Sequence, residues 1–198
     1  MWLRKLWFLL LIGLLAGCGE PTLPSPFHAG EVGAKLAQAD FSLTDHHGKP
    51  RTLADFRGKA VVLFFGYTHC PDVCPTTLAD LAQAMRQLGK DAARVQVLFV
   101  TVDPERDGAE MLAQYVPAFD PSFLALRGDA QQTAQVAQAF GVVYRKQPTS
   151  SGYNMDHSAG TFLIDTAGRT RLLAPYGQRA EWLAADLRLL LALDRSGQ

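Results

Sequence analysis

The sequence predicts an α/β domain in three layers, a central sheet between helices. Strand-like and helix-like segments alternate along most of the chain. The run Val61–Phe65 is continuously apolar, as a strand buried on both faces must be, and a helix-spaced segment follows it after a short turn. The chain then closes with two short strands around a turn and an amphipathic helix.

Each element has its own signal. Asp40 to Asp45 alternates in polarity and predicts a strand. His46-His47-Gly48-Lys49 predicts a turn, and Arg51–Leu53 returns as a short second strand, so a hairpin precedes the main strand. Two adjacent histidines invite a metal reading, but turns are polar for ordinary reasons and a solvated turn is the expectation. Gly66, Thr68 and His69 end the apolar strand, and Cys70 and Cys74 follow, each with a proline directly after it. From Thr76 to Leu88 the residues Leu78, Leu81, Met85 and Leu88 share one helical face. Pro75 lacks an N–H and suits the first turn of that helix, which places Cys74 near the N-cap and Cys70 on the preceding loop.

Val95–Val102 predicts a buried parallel strand ending at Asp103-Pro104-Glu105-Arg106-Asp107. A helix over Ala109–Phe119, ended around Pro117, leads to a short strand at Phe123–Leu126. A helix over Ala130–Phe140, closed by Gly141, leads to a strand at Val142–Lys146. Thr149–Asp156 reads as a polar loop, Thr161–Asp165 and Arg171–Ala174 as an antiparallel pair around Thr166–Gly168, and Arg179–Leu193 as the closing helix. No internal repeat appears.

The 198 residues suggest one domain plus extras, and 48% hydrophobic content is enough for a core. Lysine plus arginine equals aspartate plus glutamate, 19 each, so no basic footprint for nucleic acid is expected. The first residues read as a targeting segment. Arg4 and Lys5 precede the apolar run Leu6–Leu15, which is too short to span a bilayer comfortably. Leu15-Ala16-Gly17-Cys18 resembles a bacterial lipoprotein cleavage site. Residues 1–17 are thus expected to be a lipoprotein signal peptide and Cys18 the lipidated residue. Residues 18–35, with Pro21, Pro24, Pro26, Gly30 and Gly33, are expected to be a lipid-anchored flexible linker, and 36–198 the domain. An uncleaved N-terminal anchor is the alternative. Both export the domain and tether it to a membrane, so it faces the periplasm or another extracytoplasmic space. One cysteine becomes the anchor and two remain as a pair, in a compartment where a disulfide persists.

That pair lies on a turn between a buried strand and a helix start, where reactive or metal-binding thiols are favoured over inert ones. Four residues of tight turn or helix separate the Cα atoms by about 6 Å, which permits a disulfide or convergence on one metal ion. In open α/β sheets function collects at the C-terminal ends of the parallel strands, here the cysteine turn and the Asp103 loop. His157 sits just before a predicted strand, on a segment able to fold over that turn. Two thiolates and one imidazole form a soft ligand set that suits Cu(I), and could also hold Cu(II) or zinc. A loop or core histidine satisfied by its neighbours is the plainer reading of His157.

Three blocks carry a family resemblance. FFGYTHCPDVCPTTL around Cys70 and Cys74, VDPERD at 102–107 and MDHSAGTFLID at 155–165 resemble, in order and spacing, the signature of the Sco/SenC family of copper chaperones for cytochrome c oxidase. The resemblance spans roughly residues 36–193. It implies a thioredoxin-like three-layer fold with an added N-terminal β-hairpin. It also implies one copper ion, Cu(I) or Cu(II), per domain, held by Cys70, Cys74 and His157, with Cys70 and Cys74 also forming the redox disulfide. The implied role is delivery of copper to, or reduction of the cysteines of, the binuclear copper site of cytochrome c oxidase subunit II. A copper donor protein and a thioredoxin-like reductant would be its other partners. The family pattern has a membrane-spanning anchor, whereas this N-terminus looks lipidated. Asp156 beside His157 and Asp103 at a strand end are candidate supports for the site. Asp156 is disfavoured because neighbours in an extended segment point to opposite faces. Asp103 could instead cap the next helix. Met155 is a possible soft ligand better read as packing, and His69 a possible transient one.

Two rivals remain. Thioredoxin-like thiol–disulfide oxidoreductases use Cys-x-x-Cys, whereas three residues, Pro71, Asp72 and Val73, separate this pair. They also carry a proline before the strand facing the pair, and here Ser158-Ala159-Gly160 stands there. A specialised reductant of oxidase thiols survives both differences. A peroxiredoxin would need threonine three residues before its peroxidatic cysteine and proline seven before, but Pro71 and Tyr67 occupy those positions.

Overall fold

The computed structural model describes residues 25–150 and 152–196. The expected signal peptide, Cys18 and the linker as far as residue 24 lie outside the described residues. In chain order the elements are β1 (Gly30–Glu31), α1 (Ala34–Ala37), β2 (Ser42–Asp45), β3 (Pro50–Thr52), β4 (Ala60–Gly66), α2 (Val73–Leu88), β5 (Val95–Thr101), α3 (Ala109–Tyr115), β6 (Leu124–Arg127), α4 (Ala130–Ala139), β7 (Tyr144–Thr149), β8 (Gly152–His157), β9 (Thr161–Ile164), β10 (Thr170–Ala174) and α5 (Ala180–Ser196). Short 3₁₀ turns, Leu53–Phe56 and Gly89–Arg94, lead into β4 and β5. No helix among the described residues is long and apolar enough to cross a membrane.

The main sheet has the order β1-β10-β9-β4-β5-β6-β2-β3. β4 lies between β5, parallel to it, and β9, antiparallel to it, and every residue of β4 is buried. This is why its sequence is continuously apolar rather than alternating. Its side chains serve two layers. Phe64 pairs with Phe99, which faces Tyr115 of α3, while Phe65 meets Phe140 beyond α4 and Phe162 of β9. α2 packs along α5, burying Leu78, Leu81, Met85 and Leu88, the helical face seen in the sequence.

The two tight hairpins use one device. Asp45 Oδ1 accepts from the amides of His47 and Lys49, and Asp165 Oδ1 from those of Ala167 and Arg169. Gly48 and Gly168, at φ +84° and +78°, supply the left-handed residue that closes each turn. The first hairpin is the predicted N-terminal addition, β2–β3, docked through β2 on β6. His46 departs from the expected solvated turn. It is buried, its amide donates to the Ala125 carbonyl, and its Nδ1 accepts from the Ala125 amide, so it extends the β2–β6 pairing.

Two further expectations change. Residues 152–156 are not a loop: β7 and β8 form a two-stranded ribbon apart from the main sheet, with Tyr144 opposite His157 and Thr149 opposite Gly152. β7 carries Pro148 and charged residues with no apolar face, and the alternation of β8, with Tyr153 and Met155 turned inward, is too short and too polar to stand out as a strand. The linker also ends before residue 35, so the domain does not begin near 36. Gly30 and Glu31 pair antiparallel with Leu173 and Leu172, and Ala29 is 3% exposed. Asp186 of α5, itself 0% exposed, accepts from the amides of His28 and Ala29, both at 2.8 Å, and from Gln178 Nε2.

Asp186→Ala is expected to leave those amides without an acceptor and to lower stability by about 2–4 kcal/mol. Thermal melts with amide exchange at His28 and Ala29 check this. An unchanged melting temperature would show that β1 is held by its strand pairing alone.

Candidate metal centre

The candidate ligands come from two elements meeting at the C-terminal end of β4. α2 begins earlier than the sequence spacing predicts, with Asp72 as N-cap and Cys74 inside its first turn. Pro75 sits where its missing N–H costs nothing. The Asp72 side chain does not cap the helix; instead the Cys74 amide donates to Cys70 Sγ at 3.4 Å. An orphan amide of the helix start is thereby used to hold the first cysteine. Cys74 is fully buried and Cys70 half-buried, and both are free thiols.

His157 ends β8 and arrives from the opposite side. The Cys70, Cys74 and His157 donor atoms lie within 4.8 Å of one another, and Cys74 Sγ is 3.6 Å from His157 Nε2. For metal–sulfur and metal–nitrogen bonds of about 2.3 and 2.0 Å, two ligands 120° apart are separated by about 3.7 Å, so the spacing fits one shared ion. His157 Nδ1 is 3.0 Å from the Ser158 carbonyl oxygen, which can only accept. Nδ1 therefore carries the ring proton and Nε2 presents its lone pair to the thiols. Tyr67 and Phe64 meet the imidazole edge-on, with ring centroids at 5.9 and 6.4 Å.

Burial also sets the charge state. It pushes the Cys74 thiol well above the ordinary thiol range, offset in part by the Tyr67 amide. Burial holds the His157 imidazole below its usual 6.5, against the Ser158 carbonyl and the charge of Asp156, which both raise it. The metal-free pair is thus a neutral thiol donating to a neutral imidazole, and a metal entering there displaces the thiol proton.

Packing and the loop after β5 hold this geometry. A Cβ on Gly66 would stand 2.9 Å from Cys74 Sγ and 2.7 Å from the Phe99 ring, so only glycine lets the strand end approach the sulfur. Asp107, 0% exposed, accepts from Thr68 Oγ1 and Thr101 Oγ1, both at 2.6 Å, and from the Thr68 amide. It ties the cysteine turn to the end of β5. Asp103 neither touches the thiols nor caps α3, whose N-cap is Gly108. Its carboxylate pairs with Arg106 and accepts from the Tyr153 hydroxyl at 2.9 Å, so it grips the ribbon. Asp156 turns away from the ring and accepts from Gln147 Nε2 at 2.6 Å. Met155 packs in the core, 6% exposed. His69 is exposed, with Nδ1 3.0 Å from Thr68 Oγ1, and stands outside the three-residue cluster.

Sequence reasoning missed Gly66, Thr68, Asp107, Arg106 and Tyr153 as parts of the site. The available signals were that VDPERD ends a strand beside the cysteine turn and that Gly66, Thr68, Arg106 and Asp107 fall within the first two of the three blocks.

A thioredoxin-like α/β domain with a soft two-thiol, one-imidazole cluster at the end of its central strand is thus defined by fold and site together. The SCO1/SenC family model matches residues 29–192, and the chain belongs to that family. It is 42% identical over 167 residues to the mitochondrial SCO2 homolog of Bos taurus, covering 82% of this chain and 63% of that protein. Among solved structures it resembles copper-bound ScoI of Bradyrhizobium japonicum, with a TM-score of 0.71 and 41% identity over 76% of this chain and 97% of that one. It also resembles apo Sco1 of Thermus thermophilus, with a TM-score of 0.70 and 44% identity over 77% of this chain and 90% of that one.

Gly66→Ala is expected to crowd Cys74 Sγ and the Phe99 ring and to cost about 1–3 kcal/mol. Melting of the reduced, metal-free protein checks this, and an unchanged midpoint would mean both groups move aside freely.

A second expectation concerns pH. A histidine whose pKa is depressed by folding binds fewer protons than the unfolded chain, so its penalty is absent above about pH 6.5 and grows as pH falls through that value. Denaturant melts of metal-free wild type and His157→Gln, run from pH 7.5 down to 5, should show a shallower loss of stability in the variant. Parallel curves would mean that the imidazole is not desolvated.

Proposed function

We propose that this protein is a membrane-tethered, extracytoplasmic copper metallochaperone. It delivers copper to the binuclear copper site of cytochrome c oxidase subunit II, or reduces the cysteines of that site. The observation that carries the reading is the convergence of two thiols and one correctly tautomerised imidazole at 4.8 Å or less. Copper on structurally similar ScoI supports the choice of metal. Membership of the SCO1/SenC family, with the oxidase role that the sequence resemblance implies, supports the target.

In this reading Cys70, Cys74 and His157 hold one copper ion. Two thiolates favour Cu(I), and the imidazole extends the set to Cu(II). Cys70, the more exposed sulfur, is the ligand an incoming thiolate replaces first, while Cys74 and His157 hold the ion from the buried side. The reductive task uses the same pair. Cys70 attacks a partner disulfide, Cys74 then displaces the partner's thiolate, two electrons pass outward, and a Cys70–Cys74 disulfide remains. That disulfide withdraws two of the three ligands, so a copper donor protein and a thioredoxin-like reductant must both act before another cycle. The lipid on Cys18 and the export signal at 1–17 supply the membrane location.

Copper titration of the reduced protein tests the ligand set. His157→Ala should weaken Cu(II) binding by more than the roughly 10–100-fold that loss of a supporting hydrogen bond costs a metal site. Cu(I) should suffer less, and disulfide formation should be retained. Wild-type affinity for both ions in the variant would remove the histidine from the site. Deletion of the gene, with oxidase activity measured at low and high added copper, tests the target, and an unaffected oxidase would refute it.

A further inference from the structure

We infer that Arg106 is a positioning residue, which sets where His157 stands relative to the thiol pair by clasping β8 to the loop after β5. The inference rests on the metal-site reading above.

His157 and the cysteines belong to elements with no strand pairing between them, since β8 pairs only with β7. The sheet holds that segment only beyond His157, where Thr161 pairs with Phe64, so contacts of β8 itself must set the approach of the imidazole from the other side. Arg106 Nε pairs with the Asp103 carboxylate, which is 1% exposed, and Arg106 Nη1 donates to the Tyr153 carbonyl oxygen at 2.8 Å. The guanidinium lies 3.8 Å from the centroid of the Tyr153 ring and 5.7 Å from that of Tyr67. Tyr153 Oη closes the loop by donating to Asp103 at 2.9 Å.

Tyr153 is four residues before His157 on one strand, and Tyr67 contacts the His157 ring directly. Arg106 thus touches both the strand that carries the imidazole and the ring that flanks it. The next residue, Asp107, holds the cysteine turn through Thr68. One short loop therefore carries both halves of the site, the thiols through Asp107 and the imidazole through Arg106. A lysine could supply the charge but not the planar group that pairs, donates and stacks at once. Lys146, 4.6 Å from the Tyr153 ring and 2.6 Å from Glu105, braces the outer side, where both partners are exposed and the pair contributes little.

The test uses the reduced full chain with Arg106→Ala, Arg106→Lys and Tyr153→Phe. In the metal-free protein, amide exchange over residues 152–157 should be about 10–100-fold faster in Arg106→Ala, the effect of losing charge-assisted hydrogen bonds, while β4 exchanges as in wild type. With copper, Arg106→Ala should weaken and shift the Cu(II)–thiolate absorption and lower Cu(II) affinity about tenfold or more, with Cu(I) affinity altered less than about threefold. Arg106→Lys should fail to restore either property, and Tyr153→Phe, which keeps ring and carbonyl, should stay within about threefold of wild type. Wild-type exchange in Arg106→Ala, or full rescue by lysine, overturns the clasp. Should Arg106→Ala loosen β4 as well, Asp103→Asn provides the milder break. Loosening confined to 152–157 there supports the clasp, and general loosening overturns it. If His157→Ala leaves the copper spectrum of the wild type unchanged, the metal-site reading fails, while exchange in the metal-free protein still decides the clasp.

Discussion

The site depends on one buried carboxylate. Asp107 receives two hydroxyls and an amide from the ends of the two central strands. A buried acceptor of this kind is costly when unpaired and directional when paired. It therefore converts the parallel pairing of β4 and β5, a property of the whole core, into a fixed separation between two loops. The cysteine turn inherits its position from that separation. α2 follows directly at Val73, and the Cys74 amide in its first turn reaches the first sulfur.

The metal-free centre avoids holding a charge in this enclosure. Burial acts in opposite senses on its two inner members, keeping the Cys74 proton on and the His157 second proton off. An isolated thiolate or imidazolium held against Phe64 and Tyr67 would cost several kcal/mol. A shared S–H···N contact satisfies both polar groups instead. The same two atoms become ligands when that proton leaves, so readiness for metal and stability without it come from one arrangement.

Local pattern made part of this legible. β4 and β5 announce themselves by unbroken apolar runs, α2 by its leucine spacing, and the Cys70–Cys74 pair by its place between them. The three sequence blocks brought His157 to the same centre. What was hidden is held by contacts between distant residues. The ribbon of β7 and β8 buries little beyond Met155 and is held by Arg106, 47 residues upstream of Tyr153. β1 is two residues of Gly-Glu whose pairing depends on β10 and whose amides depend on Asp186, 157 residues from Ala29. His46 looked like a turn residue because a turn is what surrounds it. Its burial arises only once β6 arrives. Asp107 reads as one more acidic residue in a charged hexapeptide until Thr68 and Thr101 are brought against it.

The direction of β1 has an outcome of its own. Gly30 stands level with Leu173, Phe162 and, across β9, Leu63, while Glu31 stands level with Val62. Upstream of Gly30 the chain does not continue along that line: Ser25 Oγ donates to Glu31 Oε1 at 2.6 Å, so residues 25–31 close into a loop at the β10 edge of the sheet. The two amides that Asp186 accepts belong to that loop, so one short stretch latches the last strand of the sheet to the terminal helix.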